Sequence, residues 1–346
     1  MSLVTGCLRC LRLQLHISGT AAVPVYKNPA SSTSIAINLS RNFRSTSKNN
    51  FKQTSKMAIQ KDSKYTLNSG YDIPITGFGV YQTPPEVTTS IVYEALKTGY
   101  RHIDSAHYYN NEKESGEGIA KFLKDFPDVK REDIFLTSKI HSNGQPLSYD
   151  QAHAIVQESV DLIKDTAGYY DLYLIHSTYP DKATRENEYK VLQEFVAAGK
   201  IKSIGVSNYG VPHLKELLAW DGLKIKPAVN QLELHPWLPR HDIHDFCKAE
   251  GIYLEAYSPL TQAKKFDDPE LQAVAKKHGK SPADILLAWS YAQGFIPLAK
   301  TVTVSRLAPN YTVLDHVKLD DEDLKILDKP ESYEVLTWDP TVHPLD

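Results

Sequence analysis

Eight short apolar or β-branched runs, separated by amphipathic stretches, dominate the chain from about residue 70 onward. Regular alternation of strand-like and helix-like segments predicts a parallel sheet, because parallel strands need a crossover connection that is usually a helix. Eight such strands fit closure into a (β/α)8 TIM barrel, an α/β fold. The runs are 75–79, 101–106, 134–140, 172–177, 203–208, 228–234, 252–259 and 295–299.

Turn and cap signals surround these runs. Asn-Ser-Gly at 68–70, inside the segment 66–73, predicts a small hairpin ahead of the first barrel strand. Thr-Pro-Pro-Glu at 83–86 and Ser-Pro-Ala-Asp at 281–284 predict capped helix starts with proline in the first turn. The last segment, 333–346, has no periodicity and is either a frayed tail or a flap over the site.

The first 56 residues differ in composition from the rest. They contain eight Lys or Arg and no Asp or Glu, which leaves a net charge of −11 on residues 57–346 in a chain of net charge −3. Such a basic, Ser-rich leader is typical of a mitochondrial transit peptide, so a mitochondrial location is expected if it is translated. The alternatives are a low-complexity tail, or a cytoplasmic enzyme started at Met57. No Pro/Gly/Ser-rich linker interrupts residues 57–346, so these residues are predicted to form one domain.

The composition of this body argues against several function classes. Its acidic charge argues against a nucleic-acid partner, and no run approaches the ~18 apolar residues of a membrane span. Three cysteines form no disulfide framework, and Cys247 is predicted to be a core residue. Gly116-x-Gly118 lacks the third glycine of a Rossmann fingerprint, and no spacing suggests a metal site.

Four polar residues near the ends of successive predicted strands are the main chemical signal: Asp104, Tyr109, Lys139 and His176. Barrel active sites form at the rim where the strands end. Taken singly, a tyrosine here would more often be core packing and an aspartate a helix cap. A lysine at the end of an apolar strand is costly unless it is paired, however, and Asp104 is the available partner.

These side chains together predict a carbonyl-reducing site. A tyrosine titrates near ~10, too high for an efficient general acid, and the ammonium group of Lys139 is expected to lower the pKa of Tyr109. Asp104 would keep Lys139 charged and fixed. A neutral His176 could donate a hydrogen bond to the carbonyl oxygen and orient the substrate.

Later strand ends carry further motifs. A Ser-Asn pair taken alone is more often a turn or cap, and charges after a strand are more often a solvated helix start. Two cations and a hydroxyl within seven residues can nevertheless form a cradle for a monophosphate. The motifs are Gly205-Val-Ser-Asn208, Val229-Asn-Gln-Leu-Glu233, Ala256-Tyr-Ser-Pro259 and Lys300-Thr301-x4-Arg306-x3-Asn310.

Over residues 57–346 the sequence resembles the aldo-keto reductase superfamily, specifically its fungal aldose and xylose/arabinose reductase-like members. The resemblance implies NADPH-dependent reduction of aldehydes, aldoses or small ketones, with Tyr109 as the general acid of the tetrad. For the cofactor it implies Ser207, Asn208 and Gln231 at the nicotinamide carboxamide, Tyr257 stacked on the ring, Lys300, Thr301 and Arg306 at the 2′-phosphate, and Asn310 at the adenine.

The sequence departs from this pattern around the substrate. Aldose reductases often carry Trp, an aliphatic residue, Trp and Trp where this chain has Tyr81, Tyr108, His141 and Ser177. A smaller-walled, more polar pocket is expected, suited to hydroxylated or varied aldehydes. Pro309 stands where the family commonly has Glu, which leaves the preference for NADP over NAD open.

Two other functions remain open from the sequence. One is a non-catalytic, cofactor-sensing subunit like the channel-associated members of the superfamily, against which the intact tetrad argues. The other is NAD-linked alcohol oxidation. In each case the expected partners are small molecules, and a monomer or weak homodimer is expected.

Overall fold

The structure is a computed structural model that describes residues 59–346. Over these residues eight parallel strands form a closed barrel, preceded by a two-stranded antiparallel hairpin, which confirms the predicted fold. The hairpin strands are β1 (Lys64–Thr66) and β2 (Asp72–Pro74); the barrel strands are β3 (Gly77–Gly79), β4 (His102–Asp104), β5 (Phe135–Ile140), β6 (Tyr170–Ile175), β7 (Ile201–Ser207), β8 (Val229–Glu233), β9 (Tyr253–Tyr257) and β10 (Ile296–Ala299).

The barrel strands follow one another in chain order, and β10 closes the ring against β3. Leu298 pairs with Gly77 in this last seam. The close approach of β7 to β8 depends on Gly205, where a Cβ atom would lie 2.5 Å from the carbonyl oxygen of Val229. Only glycine lets the two backbones pack at this distance, so Gly205 sets how closely β7 packs against the beginning of β8.

Helices connect the strands and cover the outside of the barrel. Ser281 caps the helix Pro282–Ala292 as predicted: its Oγ accepts from the backbone N–H of Asp284 at 3.2 Å, and the Asp284 carboxylate accepts from the N–H of Ser281 at 3.0 Å. The predicted cap at Thr83 is wrong, because Pro84 occupies the cap position of the helix Pro85–Thr98 and makes no side-chain hydrogen bond to it. The helices are α1 (Pro85–Thr98), α2 (Glu112–Asp125), α3 (Tyr149–Ile163), α4 (Lys182–Ala197), α5 (Val211–Leu218), α6 (His241–Glu250), α7 (Pro269–His278), α8 (Pro282–Ala292), α9 (Leu307–Tyr311), α10 (Val313–His316) and α11 (Asp321–Leu327).

The hydrophobic core has two parts. The larger lies between the barrel and its helices and includes Trp289 of α8 and, as predicted, Cys247 of α6. The smaller joins Leu172 and Val229 of the barrel to Ile73 of the hairpin. Each such large apolar side chain contributes roughly 1.5–3 kcal/mol on burial. The hairpin thus packs apolar side chains against the end of the barrel where the strands begin.

Of the two alternatives for the C-terminal segment, a frayed tail or a flap over the site, the structure shows the flap. The backbone N–H groups of Leu336 and Thr337 donate to the Glu233 carboxylate at 2.9 and 3.2 Å. Thr178 donates to the carbonyl oxygen of Pro340 at 2.7 Å. These bonds hold the segment over the carboxyl ends of the barrel strands.

The leader expected at residues 1–56, and the start expected at Met57, lie outside the residues that the structure describes. Among residues 59–346, no helix is both long and apolar enough to cross a bilayer.

Candidate active site

The four residues of the predicted tetrad meet at the carboxyl rim of the barrel. Asp104 is the last residue of β4, and Lys139 lies late in β5. His176 follows β6 directly, and Tyr109 ends a short 3-10 turn, His107–Tyr109, after β4. Parallel strands place their carboxyl ends at one edge, which brings these four side chains together although they span many residues of sequence.

Lys139 is fully buried and has a carboxylate partner. Its Nζ donates to Asp104 Oδ1 at 2.8 Å, to Asp104 Oδ2 at 2.9 Å and to the carbonyl oxygen of Ser105 at 2.7 Å. An ammonium group in this position would be costly without such partners. The same nitrogen lies 3.4 Å from the hydroxyl of Tyr109. The ion pair thus presents a fixed positive charge to the tyrosine.

The expected lowering of the Tyr109 pKa is wrong for the protein as it stands. Burial raises the pKa of Tyr109 well above its ordinary value, and the nearby charge of Asp104 raises it further. Desolvation disfavours the phenolate, and together with the negative charge of Asp104 it outweighs the effect of the Lys139 charge. Tyr109 therefore keeps its proton at neutral pH and is a weaker acid than the sequence suggested.

His176 is a neutral imidazole in this site. Burial, followed by the charge of Lys139, lowers its pKa well below its ordinary value. Its ring lies 5.6 Å, centroid to centroid, from the ring of Tyr109. Its Nδ1 is buried and hydrogen bonds to no residue of the described chain. A neutral ring can donate from one nitrogen only, so His176 is a hydrogen-bond donor rather than a charge.

The residues predicted to hold the nicotinamide carboxamide form one network behind His176. Asn208 follows β7 in the left-handed conformation, with φ of 62°, which Asn adopts more readily than most residues. Its Nδ2 donates to the backbone oxygen of His176 at 2.9 Å, and its Oδ1 accepts from Tyr257 at 2.8 Å. Ser207 donates to the backbone oxygen of Gln231 at 2.8 Å. Strand β7 therefore links the ends of β6, β8 and β9.

Glu255 was missed by the sequence analysis. It lies on β9, fully buried, and accepts a hydrogen bond of 2.7 Å from Gln231 Nε2, which also donates to Asp104 Oδ2 at 2.9 Å. Burial, followed by the charge of Asp104, raises the pKa of Glu255 to about 8. Strand periodicity was a usable signal, because Glu255 and Tyr257 are two residues apart and so share a face of the strand.

A cavity of about 640 Å³ opens at this rim. Tyr81, Tyr108 and His141 line it, together with Asp104, Tyr109, His176, Asn208, Gln231, Tyr257 and Lys300. Ser177 does not: it is buried outside the lining, so its prediction as a pocket residue is wrong. Successive residues of an extended segment point to opposite sides, and His176 takes the side that faces the cavity.

The C-terminal flap supplies part of the cavity wall. Thr337 and Trp338 line it, and the Trp338 ring lies 6.1 Å from the His141 ring and 6.2 Å from the His176 ring. His141 is a second neutral imidazole here, because burial lowers its pKa to about 4. The cavity wall around His176 is thus aromatic, and one of its rings, Trp338, comes from a segment whose sequence has no strand or helix periodicity.

The family follows from the sequence match. The sequence model of the aldo/keto reductase family matches residues 76–331. The chain belongs to the aldo/keto reductase family. It is therefore an oxidoreductase of a family that acts on carbonyl groups.

Three aldo/keto reductase relatives illustrate the likeness. A glycerol 2-dehydrogenase (NADP(+)) of Hypocrea jecorina is 37% identical over 298 residues, covering 76% of this chain and 90% of the relative. A D/L-glyceraldehyde reductase of the same organism is 38% identical over 294 residues, covering 76% and 86%. The crystal structure of an aldo/keto reductase from Brucella melitensis has a TM-score of 0.70 and 35% identity, covering 78% and 98%.

The segment after β10 carries the remaining cofactor residues expected in an aldo/keto reductase. Lys300 lines the cavity, and its Nζ donates to the carbonyl oxygen of Gln82 at 3.2 Å. Thr301 is buried, Arg306 is exposed and Asn310 is half-buried, and these three lie beyond the cavity lining. Within the described residues Arg306 forms no ion pair. A guanidinium group without an ion-pair partner in the described chain suits a phosphate group, and so does Lys300, which burial partly desolvates.

These residues fit a nicotinamide cofactor. Gln231 borders the cavity, and its Oε1 accepts no hydrogen bond from residues 59–346. An amide oxygen left open beside a polar cavity is a ready acceptor for a carboxamide N–H. No group of three or more His, Cys, Asp or Glu side chains that could hold a metal ion occurs in the described part of the chain.

Proposed function

We propose that this protein reduces aldehydes, aldoses or small ketones to alcohols with NADPH, with Tyr109 as general acid. The observation that carries the proposal is the Tyr109 hydroxyl 3.4 Å from a buried Lys139 at the wall of a cavity that His176 also lines. Bound NADPH would supply the hydride. The relatives named as an NADP(+)-linked glycerol dehydrogenase and a glyceraldehyde reductase support this chemistry.

The protein's own part in the reaction is to position the carbonyl and to manage one proton. Neutral His176 would donate a hydrogen bond to the carbonyl oxygen, which fixes its orientation and favours negative charge on it. Tyr109 would then give its proton to that oxygen. The phenolate left behind lies beside Lys139, whose charge stabilises it. Asp104 holds Lys139 in place throughout.

Residues at the ends of successive strands would hold successive parts of the cofactor. Ser207, Asn208 and Gln231 would surround the carboxamide, with Tyr257 stacked on the nicotinamide ring. Lys300, Thr301 and Arg306 would hold the 2′-phosphate of NADPH and Asn310 the adenine. The open amide oxygen of Gln231 and the unpaired guanidinium of Arg306 support this arrangement.

The substrates favoured by the cavity are small hydroxylated aldehydes. Its wall combines aromatic rings with polar groups from Tyr108, His141 and Gln262. Hydroxyl groups of a sugar or triose would find partners there, whereas a purely apolar substrate would leave the imidazoles unpaired.

A substrate and cofactor panel tests the proposal. Purified protein would be assayed for NADPH and NADH oxidation with glyceraldehyde, xylose and arabinose, and for NAD reduction with the matching alcohols. Reduction of the aldehydes with NADPH is expected. Tight NADPH binding without turnover would favour a cofactor-sensing subunit instead, and faster NAD-linked oxidation would favour an alcohol dehydrogenase.

A further inference from the structure

Glu255 has no part in the proposed reaction, although it is fully buried inside the barrel. It sits directly beside Gln231 in the register of β8 and β9. Since its pKa is raised to about 8, the carboxyl group is mostly protonated at neutral pH. Burying a carboxyl group is costly unless its hydrogen bonds are made. The partners of its two oxygens therefore indicate what it does.

His102 lies beside the other oxygen of Glu255. The Nδ1 of His102 lies 3.2 Å from the carbonyl oxygen of Pro74, which can only accept, so Nδ1 carries the ring hydrogen. Burial lowers the pKa of His102 to about 4, so the ring is neutral and Nε2 accepts from the Thr137 hydroxyl at 3.2 Å. Glu255 Oε1 lies 3.4 Å from this Nε2 and makes no hydrogen bond to residues 59–346. Of the two carboxyl oxygens, Oε2 is thus the one with a hydrogen-bond partner, which is Gln231.

Both amide hydrogens of Gln231 are then used by carboxyl oxygens. Its Nε2 donates to Glu255 Oε2 at 2.7 Å and to Asp104 Oδ2 at 2.9 Å. The Asp104 carboxylate accepts from Lys139 through both oxygens and has no hydrogen of its own, so a reversed amide would set the oxygen of Gln231 against an acceptor. The amide orientation is therefore fixed, and Oε1 is the polar group that Gln231 has left to offer the cavity.

We propose that Glu255 is a positioning residue for the cofactor: together with Asp104 it holds the Gln231 amide so that Oε1 accepts from the carboxamide N–H of a bound nicotinamide. The inference rests on the proposed NADPH-dependent function. Asp104 alone would be a single anchor about which the amide plane can turn, whereas two acceptors on two strands fix it. The consequence is selectivity for a 3-carboxamide over a 3-acetyl group, which has no N–H to donate.

Two variants separate this role from packing. Glu255→Gln preserves the pattern, because its amide oxygen can take the place of Oε2 and accept from Gln231. Glu255→Met keeps the length of the side chain and removes the acceptor. Glu188→Met is the matched control, since Glu188 is a buried glutamate on α4 without contact to Gln231. The measurement is the dissociation constant of NADPH and of its 3-acetylpyridine analogue, by fluorescence titration.

Wild-type protein, E255Q and E188M should bind NADPH several-fold more tightly than the analogue. E255M should lose about fivefold to tenfold in NADPH affinity, the size of one hydrogen bond, with little change for the analogue. Equal losses for both cofactors in E255M, or an E255Q variant as impaired as E255M, would overturn the role.

The wild-type protein alone provides a test that does not depend on a variant folding. Equal affinity of wild type for NADPH and for the 3-acetylpyridine analogue would overturn the positioning role of Glu255. Wild-type protein that binds neither cofactor would overturn the proposed function together with this role. A third outcome separates the two proposals. If the wild-type protein reduces aldehydes but E255M has the same ratio of NADPH to analogue affinity as wild type, Glu255 does not have this role and the proposed function stands.

Discussion

At the scale of single residues, the Asp104–Lys139 ion pair controls what Tyr109 can do. Burial holds the proton on Tyr109, and the ammonium group 3.4 Å away becomes important only when that proton leaves. Tyr109 thus stays protonated until it reacts, and Lys139 stabilises the phenolate formed during proton transfer. The first effect comes from desolvation, which the spacing of the motif does not show, and the second from the lysine charge.

Arg306 is the residue through which cofactor preference can be tested. Arg306→Ala should weaken NADPH binding by roughly tenfold to a hundredfold, because a charge-assisted hydrogen bond contributes about 1.5–3 kcal/mol. NADH binding should change little, since NADH lacks the 2′-phosphate. Both dissociation constants are measured by fluorescence titration, with Lys318→Ala, an exposed cation elsewhere, as control. Equal weakening for the two cofactors would remove the phosphate assignment.

At the scale of elements, the sequence predicted the strands and most of the rim, and it left a flap and a frayed tail as alternatives for the C-terminal segment. Parallel strands that are buried on both faces read as near-continuous apolar runs, so all eight were recognisable. The alternation of side chains along extended backbone puts His176 and Ser177 on opposite sides and Glu255 and Tyr257 on the same side, so it could have corrected Ser177 and identified Glu255. Trp338 had no such signal, because its position depends on bonds to Glu233 and other residues that are distant in sequence.

Arg240 is the main anchor of the C-terminal flap. Its guanidinium group donates to Tyr333 at 3.1 Å, Thr341 at 2.7 Å and Asp339 at 3.0 Å. Arg240→Gln should release the flap and raise the KM for glyceraldehyde several-fold, because Trp338 would no longer complete the cavity wall. The dissociation constant of NADPH should stay within about twofold of wild type.

Steady-state kinetics and a cofactor titration measure these effects. Lys248→Gln changes an exposed cation on α6, the helix that begins directly after Arg240; it is the matched control and should behave as wild type. An unchanged KM in a folded Arg240→Gln variant would show that the flap does not shape the substrate site.

At the scale of the whole molecule, the polar interior of the barrel gives stability a predictable pH dependence. The pKa of Glu255 is about 8 in the folded protein and 4.5 when unperturbed, so the folded state binds this proton more tightly between those values. Its contribution to stability is fully present below about pH 4.5 and is lost as the pH rises through about 8.

Glu255→Gln removes this titration. The free energy of unfolding of wild-type protein, relative to the variant, should therefore fall as the pH rises from 5 to 8. Urea denaturation of both proteins across this range measures the difference. A difference that is constant or rises with pH would contradict the protonated state assigned to Glu255.

The leader, residues 1–56, is expected to affect where the protein is located and not its chemistry. Deleting residues 1–56 should leave specific activity and thermal stability unchanged, because every residue assigned to the site lies after residue 56. We propose that the full-length chain reaches mitochondria and that a chain started at Met57 stays in the cytosol. Mass spectrometry of the native N-terminus tests this. Arg-Asn-Phe-Arg-Ser at 41–45 resembles a matrix-protease cleavage context, so a mature start near 43–45 supports import, and one at Met57 contradicts it.

The most direct test of the central claim is aldehyde reduction by a Tyr109→Phe variant, measured as NADPH oxidation with glyceraldehyde beside the NADPH dissociation constant. Turnover should fall by about 100-fold or more, because general acid catalysis contributes ~10²-fold to 10⁴-fold, while NADPH affinity stays near wild type. Tyr93→Phe, which removes a hydroxyl bonded to Asp125 far from the cavity, should leave turnover unchanged. A Tyr109→Phe variant that retained most of its activity would contradict the assignment of Tyr109 as proton donor.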